Sequence, residues 1–121
     1  MPKFALIVDD SPTMRQMVAF TLRQAGFETT EAADGKLGLG ELEKKTFQLV
    51  ITDLNMPELD GVGFIRAARK NSAHKFTPIL MLTTESQESR KQEGKAAGAT
   101  GWLVKPFDPE KLLAVVSKVV R

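Results

Sequence analysis

The sequence predicts an α/β fold, in which a doubly wound parallel sheet has helices packed on both faces. Short apolar runs recur along the chain, at residues 4–8, 49–51, 79–82 and 102–104. They are too short for core helices and too continuously apolar for strands that face water on one side. Segments with the apolar spacing of amphipathic helices lie between them, and this alternation with short connections is typical of a parallel sheet.

The strands differ in their predicted positions within the sheet. The four apolar runs are predicted to be buried on both faces. A fifth strand, at residues 27–32, contains polar residues and is predicted to lie at an edge. Neither a linker nor an internal repeat interrupts the pattern, so residues 1–121 are predicted to form a single domain.

The first and last helices carry recognisable start signals. Ser11 can act as the N-cap of the first helix with Pro12 at the first helical position, and Asp108 and Pro109 repeat this arrangement before the last helix. Gly26 predicts the end of the first helix. The apolar stripes of the two helices consist of Met14, Met17, Val18, Leu22 and Ala25 in the first, and Leu112, Leu113, Val116, Val119 and Val120 in the last.

Three further helices are predicted between the strands, at residues 36–45, 62–70 and 85–97. Gly98 ends the last of these. The helix at 36–45 is the weakest prediction, because each of Gly38 and Gly40 costs about 1 kcal/mol relative to alanine.

The composition excludes several classes of protein. The chain has no cysteine, which excludes disulfides and cysteine-based zinc sites. No apolar run approaches the ~20 residues that span a bilayer, and the short apolar opening lacks the features of a signal peptide. These observations predict a cytoplasmic protein without membrane insertion.

The charged residues give no sign of a nucleic-acid surface. The net charge is +2, and the basic residues are scattered among acids rather than concentrated on one face. Direct nucleic-acid binding is therefore not expected. Lys44, Lys45 and residues 66–70 are interpreted as solvated helix faces, and His74, the sole histidine, as a surface residue of a polar loop.

Acidic residues follow two of the predicted strands. Asp9 and Asp10 come directly after the first apolar run, and Asp53 ends the third strand. In open α/β sheets the ligand lies beyond the carboxyl ends of the strands, and neighbouring first and third strands would bring these carboxylates together. Oxygen ligands without His or Cys suit Mg²⁺. The alternative is that Asp10 only precedes a helix cap and Asp53 only caps a turn.

Two more polar residues follow strands at the same edge. Thr83 comes after the apolar run at residues 79–82 and Lys105 after the run at residues 102–104. A hydroxyl, a lysine and a metal are the groups that would stabilise a phosphoryl group carrying about two negative charges on a carboxylate. Taken singly, Thr83 could satisfy only backbone groups at a strand end, and Lys105 could be an ordinary surface lysine.

With these residues in this order, the sequence resembles the CheY-like receiver domain of two-component response regulators along essentially its whole length. The matching segments are Val8-Asp9-Asp10-Ser11, Asp53-Leu54-Asn55-Met56-Pro57, Asp60-Gly61, Thr83-Thr84 and Lys105-Pro106-Phe107. The resemblance implies a flavodoxin-like (βα)5 sandwich with a five-stranded parallel sheet of order 2-1-3-4-5. It also implies Mg²⁺ as cofactor.

The resemblance assigns a metal and phosphoryl site. Asp53 would be the phosphoacceptor and a metal ligand, Asp10 a direct Mg²⁺ ligand, and Asp9 a ligand mainly through water. Asn55 would offer its backbone carbonyl to the metal. These roles follow from matching positions in this sequence, not from the spacing alone.

The resemblance also assigns residues that would respond to phosphorylation. Thr83 and Lys105 would contact phosphoryl oxygens, and a cis bond between Lys105 and Pro106 would aim the lysine into the site. Thr83 would be coupled to the aromatic position three residues before the lysine, which is Trp102 here, whereas tyrosine, phenylalanine or histidine is more usual. The alternative is that Trp102 is simply packed in the core.

Two further positions are implicated in how long the phosphoryl group persists. Asn55 and Glu85 each lie two residues beyond a site residue, where the resemblance implies that they border the path of the attacking water. Glu85 could otherwise be only an acid favoured by the dipole of the following helix.

The function that the resemblance implies is signalling rather than enzymatic turnover. A sensor histidine kinase, most plausibly of the chemotaxis type, would donate the phosphoryl group. A separate output protein, in motility or chemosensing and with the flagellar motor switch as one candidate, would read the change. The protein is expected to be monomeric, and no DNA-binding output domain is expected.

Several alternatives stay open at this point. A phosphorelay intermediate fits the same residues, as does a degenerate receiver used only for protein binding. A small aspartyl-nucleophile phosphatase of the haloacid dehalogenase kind would need a second acid where this chain has Asn55. A flavodoxin-like cofactor protein would place a phosphate where Asp9 and Asp10 repel it.

Overall fold

A computed structural model describes residues 3–84, 88–105 and 108–120. The strands in these residues are β1 (Lys3–Val8), β2 (Phe27–Ala32), β3 (Leu49–Asp53), β4 (Ile79–Thr83) and β5 (Gly101–Val104). The helices are α1 (Pro12–Gln24), α2 (Gly35–Lys44), α3 (Gly61–Ala68), α4 (Glu88–Ala97) and α5 (Pro109–Val119), with a short 3-10 turn at Ser72–His74. Residues 85–87, part of the predicted helix at 85–97, lie outside the described residues.

All strands pair in parallel, and their order in the sheet is β2-β1-β3-β4-β5. This confirms the doubly wound, flavodoxin-like fold and the predicted strand order. The order reverses at β1 and β3, whose connections leave in opposite directions and open a crevice at their carboxyl ends. No helix in the described parts of the chain is long and apolar enough to cross a membrane.

Two apolar layers cover the sheet because successive strand side chains point to opposite faces. Ala5 and Ile7 of β1 pack with α1 and α5, whereas Leu6 and Val8 pack with α2, α3 and α4. The three central strands are buried on both faces at the residues that pair them, as predicted for continuously apolar runs.

The helices begin where the sequence places their caps. Ser11 Oγ accepts a hydrogen bond from the backbone N–H of Met14 at 3.2 Å, with Pro12 following it. Asp108 caps α5 in the same manner. Gly26, which follows α1, has a φ of +96° and so adopts the left-handed conformation that favours glycine. The predicted stripe of α1 is wrong at Met17, whose side chain is 44% exposed.

The prediction that the apolar run at residues 102–104 is buried on both faces is also wrong. β5 is the last strand in the sheet order, and its residues alternate between partly buried and exposed. Trp102 is 37% exposed and Val104 is exposed as well. The strand is apolar although one side of it faces solvent.

The interpretation of residues 66–70 as a solvated helix face is wrong for Arg69. Its guanidinium donates to the backbone carbonyl of Gly98 at 2.8 Å and to that of Thr77 at 2.7 Å. It also donates to the carbonyls of His74 and Lys75. Arg69 therefore joins the loop after α3 to the end of α4.

The interpretation of His74 as a surface residue is wrong. The side chain is fully buried, and its Nε2 accepts a hydrogen bond from the backbone N–H of Phe47 at 3.0 Å. Burial, with a smaller contribution from the charge of Arg69, lowers the pKa of His74 below its usual 6.5. His74 is therefore a neutral acceptor that ties the loop after α3 to the loop before β3.

We expect His74 to make folding sensitive to mild acid. Because its pKa is lower in the folded state, the unfolded state binds more protons as the pH falls through about 6.5. The free energy of unfolding should then fall by at most about 1.4 kcal/mol per pH unit. In His74→Gln, which keeps an acceptor but cannot titrate, urea unfolding between about pH 7.5 and 5.5 should show a shallower decline. Parallel pH profiles for the two proteins would contradict this account.

Candidate functional site

The site is built by the carboxyl ends of neighbouring parallel strands. Val8 of β1 pairs with Thr52 of β3. The residues that follow them in the chain, Asp9 and Asp53, therefore lie at the same edge of the sheet. Asp53 in turn pairs with Leu82 of β4, the residue before Thr83. β5 ends at the same edge, one residue before Lys105.

Three carboxylates meet at this edge. One oxygen from each of Asp9, Asp10 and Asp53 lies within 4.8 Å of the others. Asp9 and Asp53 are buried, whereas Asp10 is exposed. The neighbouring positions of β1 and β3 thus bring together the acids that the sequence singled out.

Asp9 is the most constrained of the three acids. Its Oδ1 accepts the backbone N–H of Ser11 at 2.9 Å, whereas its buried Oδ2 has no hydrogen-bond partner in the described part of the chain. Burial, together with the charges of Asp53 and Asp10, raises the pKa of Asp9, although the Ser11 N–H and Lys105 act in the opposite direction. A buried carboxylate oxygen without a donor, beside two more carboxylates, fits a hard cation that takes oxygen ligands.

The backbone at Asp9 is held by a residue that sequence reasoning missed. Nη1 of Arg15 donates to the carbonyl of Asp9 at 2.7 Å, and its Nε pairs with Glu31 at 3.2 Å. Arg15 thus links α1 to the end of β1 and to β2. No local pattern in the sequence signals this contact, because Glu31 lies on another strand.

The two oxygens of Asp53 have different surroundings. Oδ1 accepts the backbone N–H of Leu54 at 2.8 Å and the ammonium group of Lys105 at 3.1 Å. Oδ2 accepts no hydrogen bond from the residues that the structure describes. One oxygen is therefore anchored, whereas the other accepts no hydrogen bond from these residues.

The loop after Asp53 is closed by a glycine in tight contact. The N–H of Gly61 donates to the carbonyl of Leu54 at 2.9 Å, and a Cβ at position 61 would lie 2.2 Å from the carbonyl oxygen of Asp53. Only a glycine fits there. Asp60 caps α3 and pairs with Arg90 at 2.8 Å, which lowers the pKa of Asp60.

Thr83 and Trp102 are connected through β5. Thr83 is buried, and its hydroxyl donates to the carbonyl of Leu103 at 3.5 Å, a long hydrogen bond. Trp102 precedes Leu103 and lies on the exposed side of the edge strand, so the alternative that it is simply packed in the core is wrong. The ammonium groups of Lys91 and Lys95 lie 5.7 and 5.3 Å from the centre of the indole ring, within cation–π distance.

Of the remaining predicted positions, Asn55 is described by the structure, whereas Glu85 and Pro106 are not. Asn55 is exposed and lies two residues after Asp53 in the chain. Glu85 and Pro106, and therefore the predicted cis bond after Lys105, lie outside the described residues.

The chain matches a known protein family over most of its length. Residues 5–117 match the model of the response regulator receiver domain. The chain belongs to this family. It is 39% identical to the chemotaxis protein CheY of Pseudomonas aeruginosa, over 94% of this chain and 93% of that protein. It is 40% identical to CheY-3 of Vibrio cholerae, over 94% of this chain and 88% of that protein.

Solved structures agree with this assignment. CheY4 of Vibrio cholerae is 53% identical, with a TM-score of 0.93 over 98% of this chain and 99% of that one. The receiver domain of a sensor histidine kinase from Pseudomonas aeruginosa PAO1 is 25% identical, with a TM-score of 0.90 over 99% of this chain and 98% of that one. That domain has a magnesium ion in its active-site cleft. The chain is a CheY-like receiver domain and a two-component signalling protein.

We expect removal of one buried charge to stabilise the receiver when divalent cations are absent. Asp9→Asn keeps the acceptor for the Ser11 N–H and relieves the crowding of like charges, so it should raise the free energy of unfolding by about 1 kcal/mol or more in chelator. Asp34→Asn, at the N-cap of α2, is the matched control and should change stability little, since both residues are good N-caps. Urea unfolding of the three proteins would test this, and an Asp9→Asn protein less stable than wild type would contradict it.

Proposed function

We propose that the protein is a Mg²⁺-dependent phosphoryl acceptor that receives its phosphoryl group on Asp53 from a sensor histidine kinase. Phosphorylation would change its affinity for a separate output protein. The observation that carries the proposal is the asymmetry of Asp53, whose Oδ1 is held by Lys105 and the Leu54 N–H while Oδ2 accepts no hydrogen bond in the described residues.

The transfer step uses that asymmetry. Oδ2 of Asp53 attacks the phosphorus of a phosphohistidine, forming an O–P bond while the P–N bond breaks. The electron pair of the broken bond returns to the imidazole of the kinase, which takes up a proton from solvent. The ammonium of Lys105, 3.1 Å from Asp53, is near enough to pair with an oxygen of the incoming group.

The residues that would hold Mg²⁺ are Asp10 and Asp53 directly, Asp9 mainly through water, and the backbone carbonyl of Asn55. The ion would offset the negative charge shared by the carboxylates and the phosphoryl oxygens. The unpartnered Oδ2 of Asp9 supports this assignment, as does the magnesium ion in the cleft of the related kinase receiver.

The signal would leave the site through Thr83. Its hydroxyl is engaged with the carbonyl of Leu103 and must release this long hydrogen bond to reach a phosphoryl oxygen on Asp53. That release removes one contact to the backbone beside Trp102, whose partly exposed indole can then change its position. Phosphorylation would in this way bias two arrangements of the surface made by α4, β5 and α5.

The setting that we propose is chemotaxis or motility, in the cytoplasm, with the protein acting as a monomeric single domain. The supporting observation is the likeness to chemotaxis proteins, which extends over most of this chain and most of each relative. A chemotaxis-type kinase would be the donor, and the flagellar motor switch is one candidate for the output protein. Asn55 and Glu85 would tune the lifetime of the phosphoryl group, which the protein itself helps to form and remove.

We expect acetyl phosphate to modify Asp53 alone. Intact-mass spectrometry of wild type with acetyl phosphate and Mg²⁺ should show one phosphoryl adduct, because the small phosphodonor supplies the same phosphorus centre as the kinase. The adduct should be absent in Asp53→Asn, absent in chelator, and present in the matched control Asp34→Asn. An adduct of equal yield in Asp53→Asn would overturn the proposal.

We expect Trp102 fluorescence to report the switch. Beryllofluoride with Mg²⁺ should give a saturable change in wild type, since it occupies the phosphoryl position on the acceptor carboxylate. Asp53→Asn should give no change, and Thr83→Ala should bind beryllofluoride, as followed by ¹⁹F NMR, with a much reduced change in emission. Binding without any fluorescence change in wild type would refute the coupling between Thr83 and Trp102 and leave the acceptor intact.

A further inference from the structure

A groove lies at the amino ends of the strands, at the opposite edge of the sheet from Asp53. Its volume is about 620 Å³, and its lining is mainly apolar. The lining includes Lys3, Phe47, Phe76, Pro78 and Val120. A smaller depression of about 230 Å³ shares Lys3 and Val120 with it and extends the surface toward α1 and α5.

Phe76 is the most prominent apolar group of this groove. It is 87% exposed, more than any other large apolar side chain that the structure describes. Burying such a ring in a complex would release a large apolar area from water. An exposed phenylalanine on a concave apolar surface is a candidate contact for an apolar group of a ligand.

The loop that carries Phe76 is held in place on both sides. Arg69 donates to the carbonyls of His74, Lys75 and Thr77, and buried His74 accepts the N–H of Phe47. The backbone is thus fixed before a ligand arrives, which reduces the entropy lost on binding. Arg69 and His74 lie outside the phosphoryl site and hold the loop that carries Phe76.

One lysine lines the groove, and two more lie over aromatic rings of its lining. The ammonium of Lys45 is 4.8 Å from the ring centre of Phe4 and 6.0 Å from that of Phe47. The ammonium of Lys75 is 5.8 Å from the ring centre of Phe76, and Lys3 lines the groove itself.

None of these ammonium groups pairs with a carboxylate among residues 3–84, 88–105 and 108–120. Glu28, which lies opposite Phe4 in the sheet register, forms no ion pair with a lysine in the same residues. In this part of the chain, three unpaired lysines, Lys3, Lys45 and Lys75, outnumber this one unpaired glutamate. The rim therefore carries a net positive charge and is complementary to an acidic ligand.

We propose that this groove binds an acidic, amphipathic peptide segment of a partner protein. An apolar side chain of the peptide packs against Phe76 and Pro78, and its carboxylates lie near Lys3, Lys45 and Lys75. The concave form favours a peptide over an anionic membrane, which would be met by protruding apolar groups rather than by a groove. The site is separate from the phosphoryl acceptor and does not depend on its chemistry.

The test is a selection of displayed random peptides on the wild-type chain, with counter-selection on Phe76→Ser. Enriched sequences should combine Asp or Glu with large apolar residues. By fluorescence anisotropy, the best peptide should bind Phe76→Ser at least about tenfold more weakly than wild type, as expected from loss of one buried ring. Lys75→Glu should weaken binding as well, and more at low salt than at high salt.

Matched variants separate the groove from general surface effects. Phe20→Ser removes another exposed phenylalanine, on α1, and Lys36→Glu reverses an exposed lysine on α2. Both should bind the peptide like wild type, and Phe76→Ser should still form the acetyl phosphate adduct. That last result keeps a failure of the groove distinct from a failure of the acceptor.

Other outcomes would overturn the proposal. These are no enrichment, enrichment of basic sequences, or binding that persists in Phe76→Ser. Binding to vesicles of phosphatidylcholine and phosphatidylglycerol without peptide binding would assign the surface to a membrane. Concentration-dependent dimerisation lost in Phe76→Ser would assign it to a second copy of this chain.

Discussion

The crowding of three carboxylates at one edge of the sheet is the constraint on which the site depends. Asp9, Asp10 and Asp53 converge because β1 and β3 are parallel neighbours, and among the described residues Lys105 forms an ion pair with Asp53 alone. The fold holds them together through contacts made elsewhere, such as the bond from Arg15 to the carbonyl of Asp9. Burial makes the repulsion stronger than it would be in water. The receiver therefore contains a region that is unfavourable on its own and becomes favourable when positive charge is added.

In the switch that we propose, the connection from the site to the surface rests on a weak contact. At 3.5 Å, the bond from the Thr83 hydroxyl to the Leu103 carbonyl is near the limit of hydrogen bonding, so giving it up costs little. A phosphoryl oxygen offers the same hydroxyl a charged acceptor, which forms a stronger bond. The cation–π contacts of Lys91 and Lys95 with Trp102 oppose any movement of the indole. The balance between these interactions, each of about 1 kcal/mol, would set how fully phosphorylation shifts the equilibrium.

The sequence was sufficient for the fold and for the acids of the site, because local patterns encode both. Continuously apolar runs indicate parallel strands, and the residue after such a run falls at the ligand edge, as Asp9 does. The errors concern contacts between distant residues. The exposure of Trp102 depends on the place of β5 at the end of the sheet order. The burial of His74 depends on Phe47, which is 27 residues away in the chain, and polar neighbours gave no sign of it. Arg69 was misread for the same reason, because its acceptors are backbone carbonyls that have no sequence signature.

The same parallel sheet that gathers the acids at one edge also separates them from the groove at the other. From Gln48, which lines the groove, to Asp53 the extended chain covers about 16 Å. The residues of β3 between them are fully buried and paired with strands on both sides, so they cannot move without disturbing the whole core. The surface near Trp102 lies on an edge strand and has no such restriction. A phosphoryl group on Asp53 should therefore act on the surface around Trp102 and leave Phe76 and the β3 side of the groove unchanged. A partner bound through Phe76 could then stay attached in both states of the switch. A docking site needs an affinity that phosphorylation does not change, whereas an output surface needs one that it does.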